Sequence, residues 1–403
     1  MDELGKAHPM NVFVHMCYGF GARTWNDKYR SGRLIGINEP YAYGFQRAAE
    51  HGCNATYSDD KKENPIEKLF RLGLRVILQF DIVHAWRNRK GILASDVVWT
   101  FTDSQSLALL ALLWILNSAR KPKVIAQSTY LFDRWSTLSP LHRWLFGKLL
   151  RRADRLAVLS PGDIPVARRI APNVRVELFY FGINTDRKVA PRPRKASHPI
   201  RLLSAGNDAR RDWNTLFDAV KNWDKCEIRI MSQRIHPQLF ADARNVDVLT
   251  LPSNKELFKL YEWADLVVLA IKPNIHTSGL TVIEEAALLG VPVICSDAGH
   301  LKAYFSEDEI KYVPPGDPEA LRRAILELAA DDEERLALAK RAQARMGPDG
   351  LSSHAYVKQF VEVSRDLLAR HATGRAPHDS PVMSATAQPA QARGRGQITM
   401  TLD

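Results

Sequence analysis

Cysteine is scarce. Cys17, Cys53, Cys226 and Cys295 are the four in 403 residues, far apart and without a C-x-x-C pair. This excludes a disulfide-stapled scaffold and gives no zinc spacing, so no metal site is expected and a reducing, cytoplasmic setting fits. Long apolar runs are lacking as well. The longest, Leu107–Leu116, is far shorter than the ~20 residues needed to cross a bilayer. The first residues carry Asp2 and Glu3 and no apolar leader core, so neither secretion nor membrane spanning is expected. Disorder is excluded by composition, which is 45% hydrophobic and 25% charged. At roughly 150 residues per domain, the length implies an enzyme-sized protein of two large domains.

Acidic residues are under-represented in the first half. Residues 1–186 hold 26 Lys and Arg against 17 Asp and Glu, and 187–201 add six cations and no acid. The net charge of +11 is therefore concentrated where an anionic partner would be met.

Apolar segments of strand length alternate with helical patterns along most of the chain. Asn11–Cys17 reads as a strand followed by the Gly-containing turn Tyr18–Gly21. Helical patterns follow at 40–51 and 64–80, with strands at Asp96–Thr100, Lys123–Gln127, Arg155–Leu159 and Val174–Phe179. Ser139-Pro140 starts a basic amphipathic helix. Residues 187–199, rich in Pro and cations, read as a linker. Alternation resumes at Ile200, with strands at 200–205, 227–231, 246–251, 265–270 and 291–295 and helices at 212–222, 254–263 and 281–289. The expected fold is α/β, two doubly wound parallel-sheet domains at 1–186 and 200–372, with a disordered tail at 373–403.

The segment His276–Cys295 is the most informative. A strand ends near Ala270, Ser278-Gly279 forms a bend, and a helix from Thr281 to Gly290 precedes Val291-Pro292. Glycine lets a phosphate approach the backbone, and the helix N-terminus attracts it. By helical geometry Glu285 lies on the apolar stripe with Val282 and Leu289, while Glu284 lies roughly opposite and completes a Thr281-x-x-Glu capping box. A carboxylate on the packed side needs partners, and ligand hydroxyls would serve. A second signal is the Gly206 loop with Arg210 and Arg211, at the same carboxyl edge of the same sheet, where open α/β sheets bind ligands.

With these residues in view, the second half resembles the donor-binding domain of GT-B glycosyltransferases, close to the family 4-like (group 1) branch. The matching residues are Ser278-Gly279-Leu280 and Glu285-Ala286 through Gly290-Val-Pro292-Val293, supported by Leu257 to Val268, the Gly206 loop, Arg152 to Ser160 and Phe179 to Asp186. The resemblance is dense over about 150–330 and faint before it. It implies two Rossmann-like domains facing a cleft and a transfer of a hexosyl-type sugar from a nucleotide-diphosphate donor to a hydroxyl acceptor, in polysaccharide or glycolipid assembly. Glu285 would hold ribose hydroxyls, and the amides around Ser278, Gly279, Leu280 and Thr281 would meet the diphosphate or sugar. Arg210 or Arg211 would neutralise the leaving group without a metal. The sequence departs from the family in carrying His276 or Thr277 where an acidic residue contacts the donor sugar, and Asn207 where an Arg follows the first-loop glycine.

In the first domain, Gly19 and Gly21 follow strand one and in this fold would face the cleft. Asp103 is the candidate base, and His15 a second one that fits a core histidine better. Asp103 equally suits a helix N-cap. The basic first half has a candidate partner in an anionic membrane carrying a lipid-linked acceptor, met by Trp135, Trp144, Phe146 and the cations of 143–152. Rival readings are a sugar-nucleotide epimerase or non-catalytic relative of the same fold, and a basic nucleic-acid-binding protein, for which no recognition motif is present.

Overall fold

The computed structural model describes residues 9–118, 121–235, 237–240, 242–250 and 253–373. The tail expected beyond 373 lies outside the described residues.

Two six-stranded sheets, every pairing parallel, form the frame. The first contains β1 (Met10–His15), β2 (Cys53–Tyr57), β3 (Val97–Thr100), β4 (Lys123–Ser128), β5 (Arg155–Val158) and β6 (Val176–Leu178), in the order β2-β1-β3-β4-β5-β6. The second contains β7 (Ile200–Ala205), β8 (Cys226–Met231), β9 (Val246–Leu249), β10 (Leu266–Leu269), β11 (Val293–Ser296) and β12 (Lys311–Val313), in the order β12-β11-β10-β7-β8-β9. Helices cover both faces, so the central strands are near-continuous apolar runs: Val97-Val-Trp-Thr and Leu266-Val-Val-Leu are buried throughout. β2 is not legible as a strand because it is an edge strand whose residues after the buried Cys53 alternate between exposed and half-buried.

Each sheet has one place where the strand order reverses, between β1 and β3 in the first and between β7 and β10 in the second. Loops leaving the carboxyl ends of strands at such a switch point frame the ligand crevice of open α/β sheets. The segments after β7 and β10 are the Gly206 and Ser278-Gly279 loops.

The chain does not divide cleanly at the linker. Residues 187–199 are strapped to the second sheet: the Val189 amide donates to Leu288 O, and that of Ser197 to Asp265. The helix Ser353–Thr373, assigned above to the second domain, instead packs on the first. Tyr356 donates its hydroxyl to Gln127 at 2.7 Å, Trp99 its indole N–H to Ser364 at 2.8 Å, and Phe360 packs against Phe45 and Phe179. Its apolar stripe completes the face of the first sheet that the N-terminal residues leave bare.

Candidate functional site

The loops after β7 and β10 are zipped together by backbone. Asp212 N–H donates to Ala270 O at 2.9 Å, Lys272 N–H to Arg210 O at 2.8 Å, and Arg211 bridges Ile271 antiparallel. This delivers Arg211 into a slot between two glycines. A Cβ on Gly279 would lie 2.7 Å from Arg211 Nη1, and one on Gly206 closer still to its Nε. Both glycines hold positive φ, +135° at Gly206 and +90° at Gly279, where side chains are strained.

Arg211 is only 4% exposed, yet its Nε and Nη1 have no hydrogen-bond partner among the described residues, and the buried Ser278 interacts with the Asp208 carboxyl. Burial lowers its affinity for the proton, opposed by Cys295 and Asp208. A buried guanidinium without an anion costs several kcal/mol. A slot of this kind suits an anion. Gly279 is the N-cap of the helix Leu280–Leu288, and the Gly279 and Thr281 amides have no partner among the described residues. They add donors on the same side. Leu280 contributes differently from the expectation: its side chain is in the core and its amide is bonded to Thr277 O. Thr281 is exposed and does not open a capping box, because the helix begins one residue earlier. Glu284, expected opposite the apolar stripe in a capping box, is buried with neither oxygen partnered among the described residues, and burial reinforced by Glu285 pushes its carboxyl far above the usual range.

Glu285 is buried as expected and meets the first domain. Its Oε1 accepts the Ile37 amide at 2.9 Å and its Oε2 the Tyr261 hydroxyl at 3.0 Å. Burial raises its pKa, against the effect of these two donors. A carboxylate offers about four acceptor positions, so two remain. Beside it Asn254 exchanges two bonds with Gly36, accepting its N–H at 2.8 Å and donating to its O at 3.0 Å.

At the other end of the bend His276 sits between two carboxylates, Nε2 3.3 Å from Asp208 and Nδ1 3.4 Å from Asp133, with Tyr130 edge-on at 4.7 Å. Burial raises the Asp208 carboxyl, but hydrogen bonds led by that of His276 more than offset it and hold the group well below the usual carboxylate range. Asp133, from the loop after β4, also accepts from Arg210 and, at 2.9 Å, from the Ile275 amide. Arg210 is thus committed to an interdomain clasp, whereas Arg211 has no ion-pair partner among the described residues.

Asp103 is not placed as a free base. Ser128 donates to it at 2.6 Å, Thr129 N–H at 3.3 Å and Tyr130 N–H at 3.1 Å, so it shapes the loop that carries Tyr130 and Asp133. His15 is buried and stacked on His84, and burial, then His84, lower its pKa to about 3. Gly21 donates its amide to Asp60 at 3.1 Å and Gly19 holds φ +93°, both serving the turn after β1. In the expected membrane patch Phe146 is fully buried, Trp135 half-buried and Trp144 exposed. Among the described residues no three His, Cys, Asp or Glu side chains converge as a metal site. A separate cavity of about 210 Å³ under the linker is lined by Arg187, Arg192, Arg194 and Arg335; the last three are paired with Glu262, Asp265 and Asp332, and Arg187 lies over the Phe258 ring.

Asp133, Asn254 and the Gly36-Ile37 segment are not among the residues the sequence points to. Asp133 was accessible in principle, since its loop leaves the carboxyl end of a central strand.

Residues 187–331 match the family described as "Glycosyl transferases group 1". The D-rhamnosyltransferase WbpZ of Pseudomonas aeruginosa is 24% identical over 266 residues, covering 61% of this chain and 66% of that protein. The D-inositol 3-phosphate glycosyltransferase of Corynebacterium urealyticum is 32% identical over 114 residues, 28% of this chain and 26% of that one. The chain thus matches less than two thirds of either relative's length. Among solved structures, sucrose-phosphate synthase from Thermosynechococcus elongatus superposes with a TM-score of 0.67 at 16% identity, over 89% of this chain and 99% of that one. Anabaena HepE in complex with UDP-glucose does so at 0.63 and 13%, over 88% and 99%. These likenesses establish the GT-B fold.

Proposed function

We propose that this chain, whose residues 187–331 belong to the group 1 glycosyl transferases, moves a sugar from a nucleoside-diphosphate donor to a hydroxyl acceptor in glycan or glycolipid assembly. One observation carries the reading: the Arg211 guanidinium, buried and unpaired between Gly206 and Gly279 at the switch point of the second sheet. Departure of a nucleoside diphosphate develops negative charge, and a preorganised cation with helix N-terminal amides stabilises it without a metal. Arg211, the Gly279 and Thr281 amides and the Ser278 hydroxyl take the diphosphate. Glu285, with acceptor positions to spare, and Asn254 take the nucleoside, whose entry displaces the Gly36-Ile37 main chain. The donor sugar then lies toward His276, where Tyr130 and the Asp133 loop frame the acceptor side. The relatives' names, a rhamnosyltransferase and an inositol-phosphate glycosyltransferase, and the UDP-glucose held by HepE support a nucleotide-sugar donor. Four unpaired cysteines support a reducing cytoplasmic setting.

Thermal-shift titration with UDP, GDP, ADP and TDP tests the site, since a ligand of the folded form raises apparent stability with its affinity. One nucleotide should stabilise the protein, Glu285→Ala and Arg211→Met should abolish the shift, and nucleotide release with an acceptor should persist in EDTA. No stabilisation by any of the four, or unchanged affinity in both variants, sinks the assignment. Nucleotide binding without release for any acceptor would favour the epimerase or a non-catalytic relative.

A further inference from the structure

The helix Pro65–Leu78 is turned inside out. Asn64 caps it and Pro65 opens it, so its ends are ordinary. Its one fully buried side chain is Arg71, which pairs with Glu63 and Asp81 at 2.7 Å and lies over the Tyr18 ring. Its apolar residues face outward: Ile66 is 80% exposed, Val76 78%, Leu69 73%, Ile77 67% and Phe70 63%. At 3.6 residues per turn these positions form a single stripe with Gly73, whose small size leaves the stripe unbroken. The stripe continues onto a second helix. His142 Nε2 lies 2.9 Å from Ile77 O, which sets the start of the helix Pro140–Leu150 against the end of the first, and there Leu141 and Trp144 are 69% and 54% exposed. Isolated exposed apolar side chains are normal, but a contiguous patch of this kind marks a surface that something covers.

Charge says what. Lys61, Lys62, Lys68 and Arg75 are exposed on or beside the first helix and Arg143, Lys148, Arg151 and Arg152 on or just beyond the second, with Glu67 as the single exposed acid in either helix. Lys148 lies over the Trp144 ring and keeps its ammonium at the patch rim. Apolar side chains ringed by cations, with a tryptophan at the edge, match the layering of an anionic bilayer surface, acyl chains beneath phosphate headgroups. A symmetric pairing of two copies through the same patch would bring these cations against one another.

We propose that the face formed by the helices Pro65–Leu78 and Pro140–Leu150 docks on anionic membrane, with Ile66, Leu69, Phe70, Val76 and Ile77 inserted and the flanking cations on the headgroups. The docking face is separate from the Arg211 slot, so its success or failure is independent of the transferase reading.

The test is flotation of the full chain with vesicles of phosphatidylcholine alone or mixed equally with phosphatidylglycerol, at low and high salt. The wild type should bind the anionic vesicles at least about tenfold more tightly, and less tightly as salt rises. Leu69→Glu with Phe70→Glu should weaken binding by about tenfold or more, and Lys68→Glu with Arg75→Glu should remove the preference for anionic lipid. These residues are exposed, so Tm should not fall in any variant. Absence of vesicle binding overturns the proposal. So does binding unchanged by the Leu69/Phe70 substitutions, or lipid-free self-association that these substitutions abolish.

Discussion

Arg211 and Gly279 are mutually dependent: a Cβ at Gly279 would stand 2.7 Å from Arg211 Nη1, and the bend holds φ +90° at that glycine. Gly279→Ala should therefore expel the guanidinium from its slot as well as strain the backbone by about 1–2 kcal/mol. A modest fall in Tm with at least about tenfold weaker nucleotide binding is expected, read by thermal shift and calorimetry.

Arg211→Met should separate stability from activity. Replacing an unpaired buried cation by an apolar chain of similar length removes a desolvation cost, so the ligand-free variant should melt at or above the wild-type temperature. Donor turnover should drop by about 10²-fold or more, as for loss of a charge-stabilising donor. A destabilised variant with normal turnover would mean that Arg211 is a packing residue.

Asp163, at the start of the helix Asp163–Ile170, is 1% exposed and neither of its oxygens has a partner among the described residues. Burial, then the neighbouring Asp103 and Asp133, push its pKa up to about 8. The folded state holds this proton where the unfolded chain has released it. The resulting stability is full below about pH 4 and lost as pH rises through about 8. Asp163→Asn should raise Tm at pH 7–8, leave it near wild type at pH 4, and flatten the pH dependence between them.

Asp103 positions the Tyr130–Asp133 loop through three accepted bonds. Asp103→Asn should lower kcat and loosen the Asp133–Arg210 clasp, while the pH–rate profile keeps its shape. Loss of a limb of that profile would restore Asp103 to the role of base.

The donor-side half of the site was legible because its signals are local. A strand, a glycine bend, a helix start and an arginine pair lie within short stretches, and the switch-point rule joins them. Glu285 was placed inward by helical geometry alone. The same geometry failed for Glu284, because the helix Leu280–Leu288 is covered on both sides and is capped at Gly279, not at Thr281. Contacts made between the sheets were not legible. Asp133 meets Arg210 across 77 residues and Ile37 meets Glu285 across 248, and neither partner carries a pattern in its own neighbourhood. The outward stripe of Pro65–Leu78 has an unmistakable helical period, but period alone does not say which side faces water; only the burial of Arg71 does.

The last described helix gives the two lobes a shared fate. Tyr356, Phe360 and Ser364 finish a layer begun more than 200 positions earlier at Gln127 and Trp99. A fragment ending at the linker would leave Trp99 and Phe45 without their cover, so it should be poorly soluble by itself. During synthesis the first lobe cannot close until the helix Ser353–Thr373 has emerged. Any hinge motion that opens the crevice must pivot with this trailing rod anchored to the lobe from which the chain sets out.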